Sequence, residues 1–152
     1  MIGHYQHTKD ISTPDPRVRR FVMPERIVWH SEEEGAVENA DILLRPGSGQ
    51  ATIWARPGCV LTHKETPSAI VLDFGRELHG GIQLIMGRSE KRAPVRLRIR
   101  LGESVSEVMG ETNNDHAMHD TVIEAALMGA TEFGNTGFRF ARIDTVEPDR
   151  DV

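Results

Sequence analysis

The chain has 152 residues and a formal net charge of −5. That length fits one domain with a sizeable core, and the mild acidity argues against nucleic acid as a main partner. Its one cysteine, Cys59, excludes an intramolecular disulfide framework, and aromatics at 5% leave few platforms for stacking on sugars. The sequence has no apolar run of about 20 residues, so no helical membrane span is expected. The N-terminal MIGHYQHTKDIS lacks the apolar stretch of a signal peptide, so the chain as written reads as cytoplasmic. A trimmed precursor would instead be periplasmic or secreted.

Residues 1–24 are polar and carry Pro14, Pro16 and Pro24, which predicts an extended or partly disordered arm. A single β-sandwich domain is expected over 25–146, followed by a linker-like tail at 147–152. Within it, Arg26 to His30 is a first strand, and Asp41 to Leu44 reads as a second. Gln50 to Ala55 and Cys59 to Thr62 are further strand candidates between Gly- and Pro-rich turns.

Ile70 to Met86 reads as two apolar runs of period two flanking a polar connector. Ile70, Leu72 and Phe74 share one face, opposite Val71 and Asp73. The connector, with Gly75, Gly80 and Gly81, suggests a turn at a sheet edge that displays Arg76, Glu77 and His79. Pro94 to Glu103 is the clearest strand, with Val95, Leu97, Ile99 and Leu101 inward and Arg96, Arg98 and Arg100 outward.

Residues 104–120 read as a polar loop. Thr121 to Met128 is ambiguous: Thr121 and Glu124 form a helical capping box, while Val122-Ile123 favours a strand. Phe133 to Asp144 closes the core, with Phe138 and Phe140 on one face and Ala141 and Ile143 on the other. About eight to ten short strands and little helix predict an all-β antiparallel sandwich or jelly roll.

Several groups have side chains suited to chemistry. Asp73-Phe74-Gly75 spells a kinase magnesium motif, but the Gly-rich loop and catalytic H-R-D are missing. Asp73, Glu77 and Glu103 are carboxylates of the type a glycosidase uses, if two of them flank a sugar at the required separation. The bland alternative is hydrogen bonding to turn amides or pairing with arginine. His116, His119 and Asp120 have the ligand types of a zinc or manganese site, but no H-x-H pair accompanies them. The arginine row can bind an acidic ligand or pair across the sheet, the default reading. Trp29 and Trp54 are either core residues or exposed sugar platforms. No cofactor is indicated.

LDFGRELHGGIQL, VRLRIRLGES, TNNDHAMHD and TEFGNTGFRFARID, in that order, resemble the β-sandwich region of bacterial α-L-rhamnosidase-like glycoside hydrolases. The resemblance covers roughly 68–146 and implies a strand at Thr121 to Leu127. It assigns Asp73, Gly75, Gly81, Glu103, Asp120, Phe138 and Phe140 to the framework and none of them to catalysis. In that family an (α/α)6 barrel carries the catalytic carboxylates, and this chain has no long helices. The resemblance therefore implies a non-catalytic accessory domain whose partner is a barrel of the same or a larger polypeptide. A rhamnose-containing carbohydrate or a second copy of the chain are further expected partners. The alternatives are a stand-alone carbohydrate-binding module using Arg76, Glu77, His79 and Trp54, and a metal-dependent protein using His116, His119 and Asp120.

Overall fold

A computed structural model describes residues 19–51, 58–87, 93–111 and 115–148. The chain is an all-β antiparallel sandwich with little helix. Its strands are β1 (Arg26–His30), β2 (Val37–Glu38), β3 (Val60–Leu61), β4 (Ala69–Ile85), β5 (Val95–Gly102), β6 (His119–Ala125) and β7 (Ala130–Thr145). The main sheet runs β1-β4-β7-β5-β6, and β2 pairs with β3 in a separate ribbon.

Period-two patterning decides which side of the main sheet becomes core. Ile70, Leu72, Val95, Leu97, Ile99, Leu101, Ala141 and Ile143 converge in one buried cluster. Burying each large aliphatic contributes about 1.5–3 kcal/mol, against about 0–1 kcal/mol for an exposed ion pair. The apolar face therefore sets the register. Val37, Leu61, Ala40 and Leu43 cap the cluster from the β2–β3 ribbon and a 3-10 helix at Ala40–Leu44. The opposite face holds a smaller cluster of Val71, Val108 and Phe140, with Trp29 packed against it. Val108 comes from the short helix α1 (Val105–Met109).

The expected turn at 75–81 does not exist. β4 is one strand of 17 residues, paired with β7 from Ala69↔Asp144 to Ile85↔Ala130. Bulges absorb the polar insert. Asp73 pairs with Phe140 and Leu78 with Phe138, so β4 spends five steps where β7 spends two. A second irregularity follows Gly80, where a Cβ on Gly81 would collide with the Phe133 carbonyl oxygen. Ile82, Leu84, Met86 and Phe133, from the far half of this hairpin and its end, join the same cluster as Leu97. The hairpin therefore bends over the core instead of extending flat.

Other expectations change for local reasons. Asp41 to Leu44 is helical, with Asn39 ahead of it in the left-handed region, φ 55°. Phe138 and Phe140 lie on opposite faces because the bulge falls between them. Arg100 points into the protein and is 1% exposed, since α1 and the chain after it cover that face. The loop at 104–120 contains α1, started by Ser104, whose hydroxyl accepts from the Glu107 amide. The capping box at Thr121 is unused, and β6 ends at Ala125, short of Leu127. Most of the strand expected at 50–55 lies outside the described residues, as do 1–18 of the N-terminal arm and 149–152 of the tail.

Candidate functional site

The bulge in β4 and the adjoining ends of β5 and β7 bring together most of the side chains singled out by sequence. Asp73 is the anchor. It is 1% exposed and accepts 2.8 Å bonds from Arg26 Nε of β1 and Arg139 Nε of β7. Arg139 Nη2 adds a 3.1 Å bond, and the Gly75 amide donates at 2.7 Å. The Arg139 hydrogen bond, more than any other contact, holds the Asp73 carboxyl far below the usual carboxylate range. Gly75 adopts φ +74°, and a Cβ there would strike the Glu25 carboxyl, so a side chain is excluded twice over. Asp73 is thus fully committed to joining three strands.

Beyond it the bulge turns Arg76 and Glu77 to solvent, and His79, opposite Gly137, is also exposed. Glu77 meets Glu103, which follows β5, above Gly137. A Cβ on Gly137 would sit 3.5 Å from Glu103 Oε1 and 3.6 Å from Glu77 Oε1. The neighbouring Glu77 charge, first, and its hydrogen bond raise the Glu103 pKa, and Glu107 adds to the effect. Glu107 Oε2 also accepts the Glu103 amide at 2.9 Å.

Arg98 and Arg100 of the arginine row are spent on pairing, while Arg96 is exposed. Arg98 holds Asp120 through Nε at 2.7 Å and Nη2 at 2.5 Å. Arg100 Nη2 reaches both oxygens of Asp144 at 2.9 and 3.0 Å, and Arg142 Nη2 donates to Asp144 at 2.7 Å. Asp120 is thereby occupied, its pKa lowered chiefly by the Arg98 bond, with a smaller contribution from His116. His119 precedes Asp120 on β6 and so faces the other way. Among the described residues no group of three His, Cys, Asp or Glu is placed to hold a metal ion.

Trp29 is half-buried on β1, with the Arg142 guanidinium 5.4 Å from its ring centroid. That face of the indole is covered. Trp54 lies outside the described residues. Burial pushes the Cys59 thiol up to about 11, which makes it a poor nucleophile. No described helix is long and apolar enough to cross a membrane.

Sequence reasoning missed Arg139, Arg142 and Asp144. The signal was present in Asp144, a carboxylate next to the apolar Ile143 on the strand that lies beside the arginine row of β5. It also passed over Ser104 and Glu107, a capping box visible as S-x-x-E.

No protein-family model and no curated protein matches the chain. Among solved structures, its fold is similar to that of a rhamnosidase from Klebsiella oxytoca with rhamnose bound, with a TM-score of 0.50 and 16% identity. The likeness covers 86% of this chain and 26% of the Klebsiella chain, so this chain spans about a quarter of that rhamnosidase. At this identity the likeness concerns fold alone.

Proposed function

We propose that this chain is a non-catalytic β-sandwich domain of an α-L-rhamnosidase-like glycoside hydrolase, which supports or flanks a catalytic (α/α)6 barrel. The observation that carries the reading is the asymmetry of the fold match, 86% of this chain against 26% of the rhamnosidase. The described carboxylates support the same reading. Asp73, Asp120 and Asp144 are neutralised by arginine, and Glu77 and Glu103 are in mutual contact. That pairing leaves none of the three aspartates free to act as acid or base across a glycosidic bond. The exposed Arg76, Glu77 and His79 are the side chains we place at the boundary with the barrel, where a rhamnose-containing carbohydrate would be met.

An immunoblot of source cells with an antibody against this domain tests the proposal. A native polypeptide far larger than 17.0 kDa, with rhamnosidase activity that co-purifies with the immunoreactive band, is the expected result. A band near 17.0 kDa would overturn the accessory-domain reading.

A further inference from the structure

The β1–β4 ladder stops at Asp73, where the Glu25 amide donates to the Asp73 carbonyl at 2.8 Å. β1 runs antiparallel to β4, so the residues before Glu25 travel alongside β4 from Phe74 onward. Along this stretch β4 has β7 on one side and no described strand on the other. At the far end Arg19 Nη1 reaches both oxygens of Glu132, at 2.8 and 2.7 Å. Glu132 is the register partner of Gln83, whose Nε2 donates to the same carboxylate at 3.1 Å. Six residues extended cover at most about 20 Å. The bent hairpin brings Glu132 within that reach.

Between these two ends the segment is held by partial side-chain cover and not by a backbone ladder. Among the described residues no backbone hydrogen bond joins 19–24 to β4. Phe21 is 62% exposed, Val22 and Met23 at 39% and 38% are only partly covered, and Pro24 alone is buried. An unpaired strand edge invites pairing with another extended chain, and proteins cover such edges.

We propose that residues 19–25 form a releasable strap over the open edge of β4, anchored at Glu25 and clasped by the Arg19–Glu132 ion pair. Opening the clasp frees the backbone edge from Phe74 to Gln83 while the core stays folded. The strap stands independently of the rhamnosidase-like reading, since it rests on contacts within this chain.

The test is amide hydrogen exchange on the full chain carrying Arg19→Glu, Glu132→Arg, or both. An exposed ion pair is worth a fold-change of about two to five in a local opening equilibrium. Each single reversal is expected to speed exchange by about that factor at the Glu25 amide, which the Asp73 carbonyl holds, and in the segment before it, while β5 stays unchanged. The double exchange of charges restores the original rates, and 1 M salt reproduces the single-variant pattern in the unmodified chain, with the salt level taken from about where screening becomes nearly complete. Unchanged rates in both single variants, no recovery in the double, or equal acceleration in β5 would each overturn the strap.

Discussion

Arg100 and Asp144 meet inside the sheet, 2.9 and 3.0 Å from guanidinium nitrogen to the two carboxylate oxygens, on adjacent strands β5 and β7. Their side chains are 1% and 8% exposed. A buried pair adds little stability over an apolar replacement of both partners, but removing one partner strands the other charge. Asp144→Ala leaves Arg100 and Arg142 without their shared carboxylate and is expected to cost about 3–5 kcal/mol. Arg100→Met is expected to cost clearly less, because Arg142 still neutralises Asp144 and the thioether fills the space of the stem. Urea unfolding of the two variants measures the difference, and equal losses would refute this ordering.

Asp73 makes folding stability depend on acid. Its folded pKa lies below its unfolded value, so its contribution is complete above the unfolded value of about 3.9 and fades as pH falls through the folded one. Asp73→Asn is expected to cost about 2–3 kcal/mol at neutral pH, the scale of hydrogen bonds to a charged group. The gap between variant and parent should narrow steadily below about pH 4. A gap independent of pH would show that Asp73 does not act through its charge.

Glu103 works in the opposite sense. Its folded pKa is raised by Glu77, so the folded state binds the proton more tightly than the unfolded one. The repulsion is absent at low pH and develops as pH rises from the unfolded value of about 4.3 through the folded one. Glu103→Gln is expected to raise the Tm at neutral pH and leave it unchanged near pH 3 (about one unit below the unfolded value). Glu77→Gln should do the same, and the double variant should gain no more than either alone. Thermal melts across this range check the prediction.

Gly80 and Gly81 are neighbours with different roles. A Cβ on Gly81 meets the Phe133 backbone, whereas one on Gly80 has nothing within 4 Å. Gly81→Ala is expected to destabilise by about 1–3 kcal/mol, the usual range for overpacking. Gly80→Ala is expected to be neutral or to stabilise by up to about 1 kcal/mol through the unfolded chain. Denaturant midpoints of the two variants decide it.

The all-β class, strand β1 and the inward faces of β4 and β5 were legible because alternation over four or more residues marks which side is buried. Long-range bulges were not. Nothing local tells Arg76 and Glu77 that they belong to the middle of a strand, since the two-step β7 segment opposite lies more than sixty residues away in β7 numbering, from Phe138 to Phe140. The same bulge set Phe138 and Phe140 on opposite faces. The arginine row was seen but placed outward, because sequence does not reveal that α1 and the chain after it cover that side. The contact between Glu77 and Glu103 is likewise a product of the bulge, joining residues whose separation sequence alone cannot measure.

The strand order has a kinetic consequence. β7, last of the described strands along the chain, lies between β4 and β5 at the centre of the main sheet. Before it is synthesised, β1 has only β4 and β6 has only β5, and isolated two-stranded ribbons are marginal in water. During translation, commitment of the core must wait for Ala130–Thr145 to leave the ribosome. The domain should then consolidate in one late, non-local step, with its apolar strands in need of protection until that moment.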